Sequence, residues 1–163
     1  ANGAGNYTVW VHRFYRYRQP ATELAPTNGA MGYGFPAAIA AKLHQPERSV
    51  ICFAGDGCFM MYPQELATAV QFGAPLIVIV VNNGMLGTIR MHQEREYPGR
   101  VSATDLINPD FVALAKAFGA HAETVHLTED FPAALARAQA AGVPALIELR
   151  TDPRQIGPQV RLP

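Results

Sequence analysis

The chain is short of several things, and each shortage closes off a class. It has no surplus of charge. Lys+Arg and Asp+Glu stand at 13 each, so no bulk field recruits nucleic acid or an anionic membrane. It has no long hydrophobic run: the longest, Ala74 to Val81, falls far short of the roughly 20 residues that a membrane helix needs. It has two cysteines, Cys52 in an apolar stretch and Cys58 just after it. That is no disulfide framework, and it suits a reducing cytoplasm, the expected compartment. A C-x5-C spacing with no His pair beside it also fails as a zinc pattern. No GK[ST] is present, which removes the P-loop. The opening ANGAGNYTVW has neither a basic start nor an apolar segment, so it does not read as a signal peptide.

What is present is enough to fill a core. The 163 residues are 49% hydrophobic and 16% charged, which describes one ordinary domain. Four apolar stretches predict strands: Ser49 to Ala54, Pro75 to Val81, Pro144 to Arg150 and, more weakly, Gly119 to Val125. Helical patterns alternate with them over Pro36 to Leu43, Tyr62 to Phe72, Pro109 to Phe118 and Asp130 to Ala141. Asn108 is the expected N-cap of the third helix, and Gly142 stops the last. This alternation predicts a three-layer α/β/α fold around a mostly parallel sheet. Met91 to Val101 is the most polar segment and predicts a mobile loop; the final PRQIGPQVRLP predicts an irregular tail. The run Arg13 to Arg18 alternates arginines with aromatics. With no second basic patch it reads as a solvated helix end or subunit contact rather than an RNA-stacking surface. The chain opens on the turn-like Asn2–Asn6 with no leading strand, so the expectation is a piece of a longer polypeptide.

Two strand ends carry residues that strands disfavour. Gly55-Asp56-Gly57 closes one, and Asn82-Asn83 closes the next. In a parallel α/β sheet, ligands bind beyond the carboxyl ends of the strands. Both oxygen-bearing groups therefore reach one rim. Mg²⁺ takes few oxygens from protein and the rest from phosphate and water, so one carboxylate and one amide carbonyl suffice. The flanking glycines let a phosphate approach backbone amides closely. Either polar residue alone reads equally well as a turn or cap. The pair, with its glycines, favours a ligand site.

These residues resemble a known pattern. GDG, 24 residues (58–81) and then NN is similar to the thiamine-diphosphate motif. The wider text GAMGYGFPAAIAAKL, GDGCFMMYPQELATA and VVNNGMLGTIR resembles the C-terminal cofactor-binding domain of acetolactate synthase-like enzymes. The resemblance implies Asp56 and Asn83 as Mg²⁺ ligands through side chains, and Met85 through its backbone carbonyl. It implies diphosphate contacts from Gly5, Asn6 and Tyr7, from Gly55, Gly57 and Cys58, and from Leu86, Gly87 and Thr88 at a helix start. Gly29 and Met31 would meet the aminopyrimidine ring, with Met31 as the wedge that bends the cofactor. Read alone, Met31 is an ordinary gap-filling core residue. The implied fold is the thiamine-diphosphate-binding fold. The implied reaction is decarboxylation or carboligation of a 2-keto acid such as pyruvate, by a homo-oligomer (dimer or tetramer). FAD can accompany the full enzymes but would not be bound by this domain.

The resemblance also implies a missing part. The Glu that activates the pyrimidine comes from another domain of a partner subunit, and none of the chain's Glu residues matches it, so no catalytic residue is assigned here. The domain, 1–163, would lack the pyrimidine-binding and middle domains and would be inactive alone. His92 stands where acetohydroxyacid synthases carry a Trp, which leaves the substrate open; it reads equally as a surface residue without a role. A non-catalytic cofactor-binding module remains the alternative. A Rossmann nucleotide domain is disfavoured, because Gly29-Ala-Met-Gly32-Tyr-Gly34 has the glycine order reversed.

Overall fold

The computed structural model describes residues 1–162. Its main sheet has four strands: β1 (Ile51–Gly55), β2 (Ile77–Asn82), β3 (His121–Val125) and β4 (Ala145–Arg150). They pair in parallel in the order β1-β2-β4-β3. Ile77 is in register with both Ile51 and Ala145, and Asn82 with Arg150, so all the carboxyl ends share one rim. Every residue from Ile77 to Val80 is buried. A strand covered on both faces has no need of polar alternation, which is why this sequence reads as one β-branched run.

The helices are α1 (Thr8–Phe14), α2 (Gly34–His44), α3 (Asp56–Phe59), α4 (Glu65–Gln71), α5 (Gly87–Glu96), α6 (Phe111–Ala117) and α7 (Phe131–Ala140). On one face, Val78, Val80, Ala122 and Leu146 pack with Phe35 and Ile39 of α2, Leu66 of α4 and Phe111 of α6. On the other, Ile77, Ile79 and Ile147 meet Ala134 and Ala138 of α7. The expected α/β/α layering and parallel sheet are therefore observed. No helix among the described residues is long and apolar enough to cross a membrane.

Four local expectations are corrected. The polar segment after Met91 is not a loop at its start, because α5 runs to Glu96. The Arg90–Glu94 pair, 2.6 Å apart at i,i+4 and little exposed, supports that polar helix. The tail is not irregular: β5 (Gln155–Gly157) and β6 (Val160–Arg161) form an antiparallel hairpin. It seats the buried Ile156 and Leu162, and Asn6 Nδ2 donates to the Ile156 carbonyl at 2.9 Å. As expected no strand precedes α1 among the described residues, although Asn2 makes an isolated parallel bridge to Phe53 and Phe53 N donates to the Ala1 carbonyl at 2.8 Å. The N-cap of α6 is Asp110, whose Oδ1 accepts from Ala113 N at 2.8 Å; Asn108 is used elsewhere. Finally, α4 begins at Glu65 rather than Tyr62, because the preceding residues form i→i−3 turns around Pro63.

Candidate diphosphate and metal site

The rim gathers segments that are far apart in sequence. A methyl group at Gly57 would stand 2.9 Å from Leu86 Cδ2 and 3.3 Å from Met31 Cε. One at Gly87 would stand 2.8 Å from both terminal atoms of Asn6 and 3.0 Å from Asn83 Nδ2. Asn6, Met31, Gly57, Asn83, Leu86 and Gly87 thus converge, and two glycines make room for the convergence. Gly29 stands apart, exposed at φ +70 with nothing within 4 Å of a Cβ position. Tyr7 is a core residue: its ring lies against Gly5 and Gly55, and its hydroxyl accepts from Gly3 N at 3.0 Å. Burial, reinforced by Cys58, pushes its phenol far above the usual range. Cys58 is buried and free, and its Sγ donates to the Ala4 carbonyl at 2.8 Å. What Tyr7 and Cys58 have left to offer a ligand is backbone.

Asp56 starts α3 and is only 2% exposed. Its Oδ1 accepts from Gly57 N at 2.9 Å. Its Oδ2 accepts from Gly84 N at 2.9 Å and Asn108 Nδ2 at 2.8 Å. No cationic side chain pairs with it among the described residues. Burial raises its pKa above the ordinary 3.8, against the downward pull of Asn108, Gly57 and Gly84. A raised folded pKa favours the protonated form. Its contribution to stability is therefore full below 3.8 and lost as pH rises through the folded pKa. In metal-free buffer, the unfolding free energy of the parent minus that of Asp56→Asn should fall as pH rises above 3.8. Urea titrations over a pH series check this, and a flat or rising difference would refute it.

Asn82 and Asn83 divide. Asn82 is 2% exposed and engaged at both ends: Nδ2 donates to Glu148 Oε1 at 2.6 Å, and Oδ1 accepts from Gly84 N and Asn108 Nδ2, each at 3.1 Å. Asn83 is half-buried, and its Oδ1 accepts only a long bond from Met85 N, 3.2 Å. The Met85 carbonyl accepts from Gly87 N at 3.0 Å and keeps a second lone pair. At the start of α5, Thr88 Oγ1 is buried without a partner among the described residues. The amides of Thr88 and Ile89 are likewise unbonded there. Asn6 and Thr88 open on a cleft of about 410 Å³ walled by Val9, Met91 and the β5–β6 hairpin. The sequence pattern missed Asn108 and Glu148. Glu148 did carry a signal, as a lone charge inside the apolar ALIELR strand.

These observations test the fit of a metal diphosphate. A helix N-terminus with free amides and an orphaned hydroxyl suits a phosphate group. One carboxylate, one amide oxygen and one backbone carbonyl suit a hard cation that keeps water or phosphate oxygens. The residues fit.

An α/β domain with this rim is of the diphosphate-binding class. The chain belongs to the family of thiamine pyrophosphate enzyme C-terminal TPP-binding domains, whose profile matches residues 3–149. Among its relatives, acetolactate synthase of Mycobacterium leprae is 45% identical over 123 residues, covering 72% of this chain and 20% of that protein. The probable acetolactate synthase large subunit of Methanocaldococcus jannaschii is 35% identical over 158 residues, 96% of this chain and 27% of that protein. The mitochondrial catalytic subunit of Saccharomyces cerevisiae is 36% identical over 151 residues, 92% and 22%. A solved structure, the thiamine diphosphate-dependent 4-hydroxybenzoylformate decarboxylase of Rhodococcus jostii RHA1, superposes with a TM-score of 0.74 at 38% identity. It covers 78% of this chain and 24% of its own. The chain thus spans about a fifth to a quarter of the length of these curated relatives.

Proposed function

We propose that this chain holds the diphosphate of thiamine diphosphate together with Mg²⁺, within a longer enzyme acting on 2-keto acids such as pyruvate. The observation that carries this reading is Asp56, a buried carboxylate with no cation beside it among the described residues. A buried charge without a partner is costly, and Mg²⁺ at that rim would neutralise it. Asp56, Asn83 and the Met85 carbonyl would hold the metal. The backbone around Gly5–Tyr7 and Gly55–Cys58, with Gly87 and Thr88 at the start of α5, would hold the phosphates. Met31, which reaches toward Gly57 from the glycine-rich turn before α2, would back the pyrimidine side, with Gly29 at the turn's outer end. When bound, the thiazolium ring supplies a carbon nucleophile and an electron sink for 2-keto acid decarboxylation or carboligation.

The chain's own residues bind, orient and neutralise. We assign none of them as the free acid for the pyrimidine; the buried Glu148 has both oxygens engaged. That Glu we assign to another domain of a homo-oligomer, along with the pyrimidine-binding and middle domains. Met60, Met61 and Tyr62, exposed just after α3, form the apolar face we assign to the partner subunit.

Calorimetry on the 163-residue chain should show thiamine diphosphate binding only with Mg²⁺, and no heat with NADH or FAD. The same sample should not turn over pyruvate. NADH binding would restore the nucleotide-binding reading. Turnover of pyruvate would refute the assignment of the activating acid to another domain.

A further inference from the structure

Behind Asp56, three strands place polar side chains on the same face as Val80, Ala122 and Leu146. Glu148 on β4 is 2% exposed and is opposite Val80 on one side and Thr124 on the other. It accepts from Asn82 Nδ2 at 2.6 Å and Thr124 Oγ1 at 2.8 Å, and the Arg150 guanidinium stands beside it as an ion pair at 3.0 Å. A strand interior that is otherwise Leu, Ile and Ala has no packing need for a carboxylate there. The two donors and the ion pair instead make Glu148 the fixed end of a directional chain.

The direction follows from donor and acceptor chemistry. A carboxylate offers only acceptors, so Asn82 must turn its NH₂ toward Glu148. Its Oδ1 then faces Asn108, which must turn its own NH₂ inward, 3.1 Å from Asn82 Oδ1 and 2.8 Å from Asp56 Oδ2. Gly84 N adds a bond to the same Oδ2, at 2.9 Å. Both lone pairs of Oδ2 are now used, whereas Oδ1 accepts only from Gly57 N and keeps one free. Had either amide been flipped, its oxygen would face another oxygen, and the side-chain restraint on Asp56 would be weakened, leaving the backbone donors Gly57 N and Gly84 N.

We propose that Glu148 is a positioning residue. Through Asn82 and Asn108 it locks the Asp56 carboxylate with Oδ1 left open toward the cation. This rests on the metal-diphosphate reading above and extends it to a residue that touches neither metal nor cofactor.

The test uses the 163-residue chain, its Glu148→Met, Glu148→Gln and Asn108→Ala variants, and Mn²⁺ as a spectroscopic substitute for Mg²⁺. Mn²⁺ affinity is read by electron paramagnetic resonance at saturating thiamine diphosphate, on samples shown folded by circular dichroism. Glu148→Met and Asn108→Ala should each lose about 10- to 100-fold in Mn²⁺ affinity. Glu148→Gln can still accept from Asn82 while donating to Thr124, so it should stay close to the parent. In metal-free samples, the Asn108 side-chain amide resonances should shift in Glu148→Met and hold in Glu148→Gln.

Parent-like affinity in folded Glu148→Met overturns the proposal, and so does a loss in Glu148→Gln as large as in Glu148→Met. If Glu148→Met does not fold, the half-exposed Asn108→Ala decides by the same criterion. A parent that binds no metal refutes the metal-diphosphate reading, while an unmoved Asn108 resonance in Glu148→Met refutes the relay alone.

Discussion

Asp56→Ala should leave the chain folded and abolish its thermal response to Mg²⁺ with thiamine diphosphate. Two opposing terms set the metal-free outcome. Removing the carboxylate relieves the burial penalty that raises its pKa. It also takes from Gly57 N its acceptor, and leaves Gly84 N and the Asn108 amide with Asn82 Oδ1 alone; a donor left fully unsatisfied costs about 1–3 kcal/mol. Asn108 is only half-buried and can turn to water, so the net change should stay small. The ligand term is one-sided. At free ligand of 100 times Kd, binding adds about 2.7 kcal/mol to the parent's stability. Without Asp56 that increment should vanish, because the chain would then offer the metal-diphosphate no charged ligand of its own, only the neutral Asn83 and the Met85 carbonyl. Thermal melts of both proteins, with and without Mg²⁺ and thiamine diphosphate, read the effect directly. A ligand-induced shift in Asp56→Ala equal to the parent's would remove Asp56 from the site.

The sheet was legible in the sequence because a parallel strand covered on both faces shows itself as an apolar run. Pro75 to Val81 became β2, and Pro144 to Arg150 became β4, displaced by no more than two residues. The GDG and NN ends were legible for the converse reason, as residues strands disfavour placed where a strand stops. What failed depended on partners remote in sequence. The β5–β6 hairpin has weak local propensity and is held by the Asn6–Ile156 bond and by burial of Ile156 and Leu162. The polar α5 has no strong apolar stripe; the Arg90–Glu94 pair and its anchored first turn support it. Asn108 sits just before Pro109 and so reads locally as a cap, yet its partners are Asp56 and Asn82, 52 and 26 residues away. No local rule chooses between Asp110 and Asn108 as the cap. The relay from Glu148 is invisible for the same reason, since it needs the β2-β4-β3 strand order.

Phe59→Ala should cost the chain about 3–5 kcal/mol, the range for truncating a buried aromatic, and should weaken the diphosphate site through the fold. Phe59 is the last residue of the four-residue α3 and is 1% exposed. Its ring centroid lies 5.6 Å from that of Phe35 on α2 and 5.6 Å from that of Phe111 on α6. So short a helix has no stability of its own. It holds its shape because one end continues β1 and the other is pinned between two helices. Asp56, Gly57 and Cys58 lie on the span between those anchors, so the turn that offers their amides is only as rigid as the Phe59 contact. Truncation leaves a cavity under the site, and a domain of ordinary stability, 5–15 kcal/mol, would keep a small margin or none. Phe59→Leu fills most of that space and should cost much less. Chemical denaturation of the three proteins gives the ordering, and pyrophosphate titration with Mg²⁺ on the folded fraction tests the coupling. If Phe59→Ala destabilises as expected yet binds Mg²⁺-pyrophosphate as tightly as the parent, α3 does not take its geometry from the aromatic cluster.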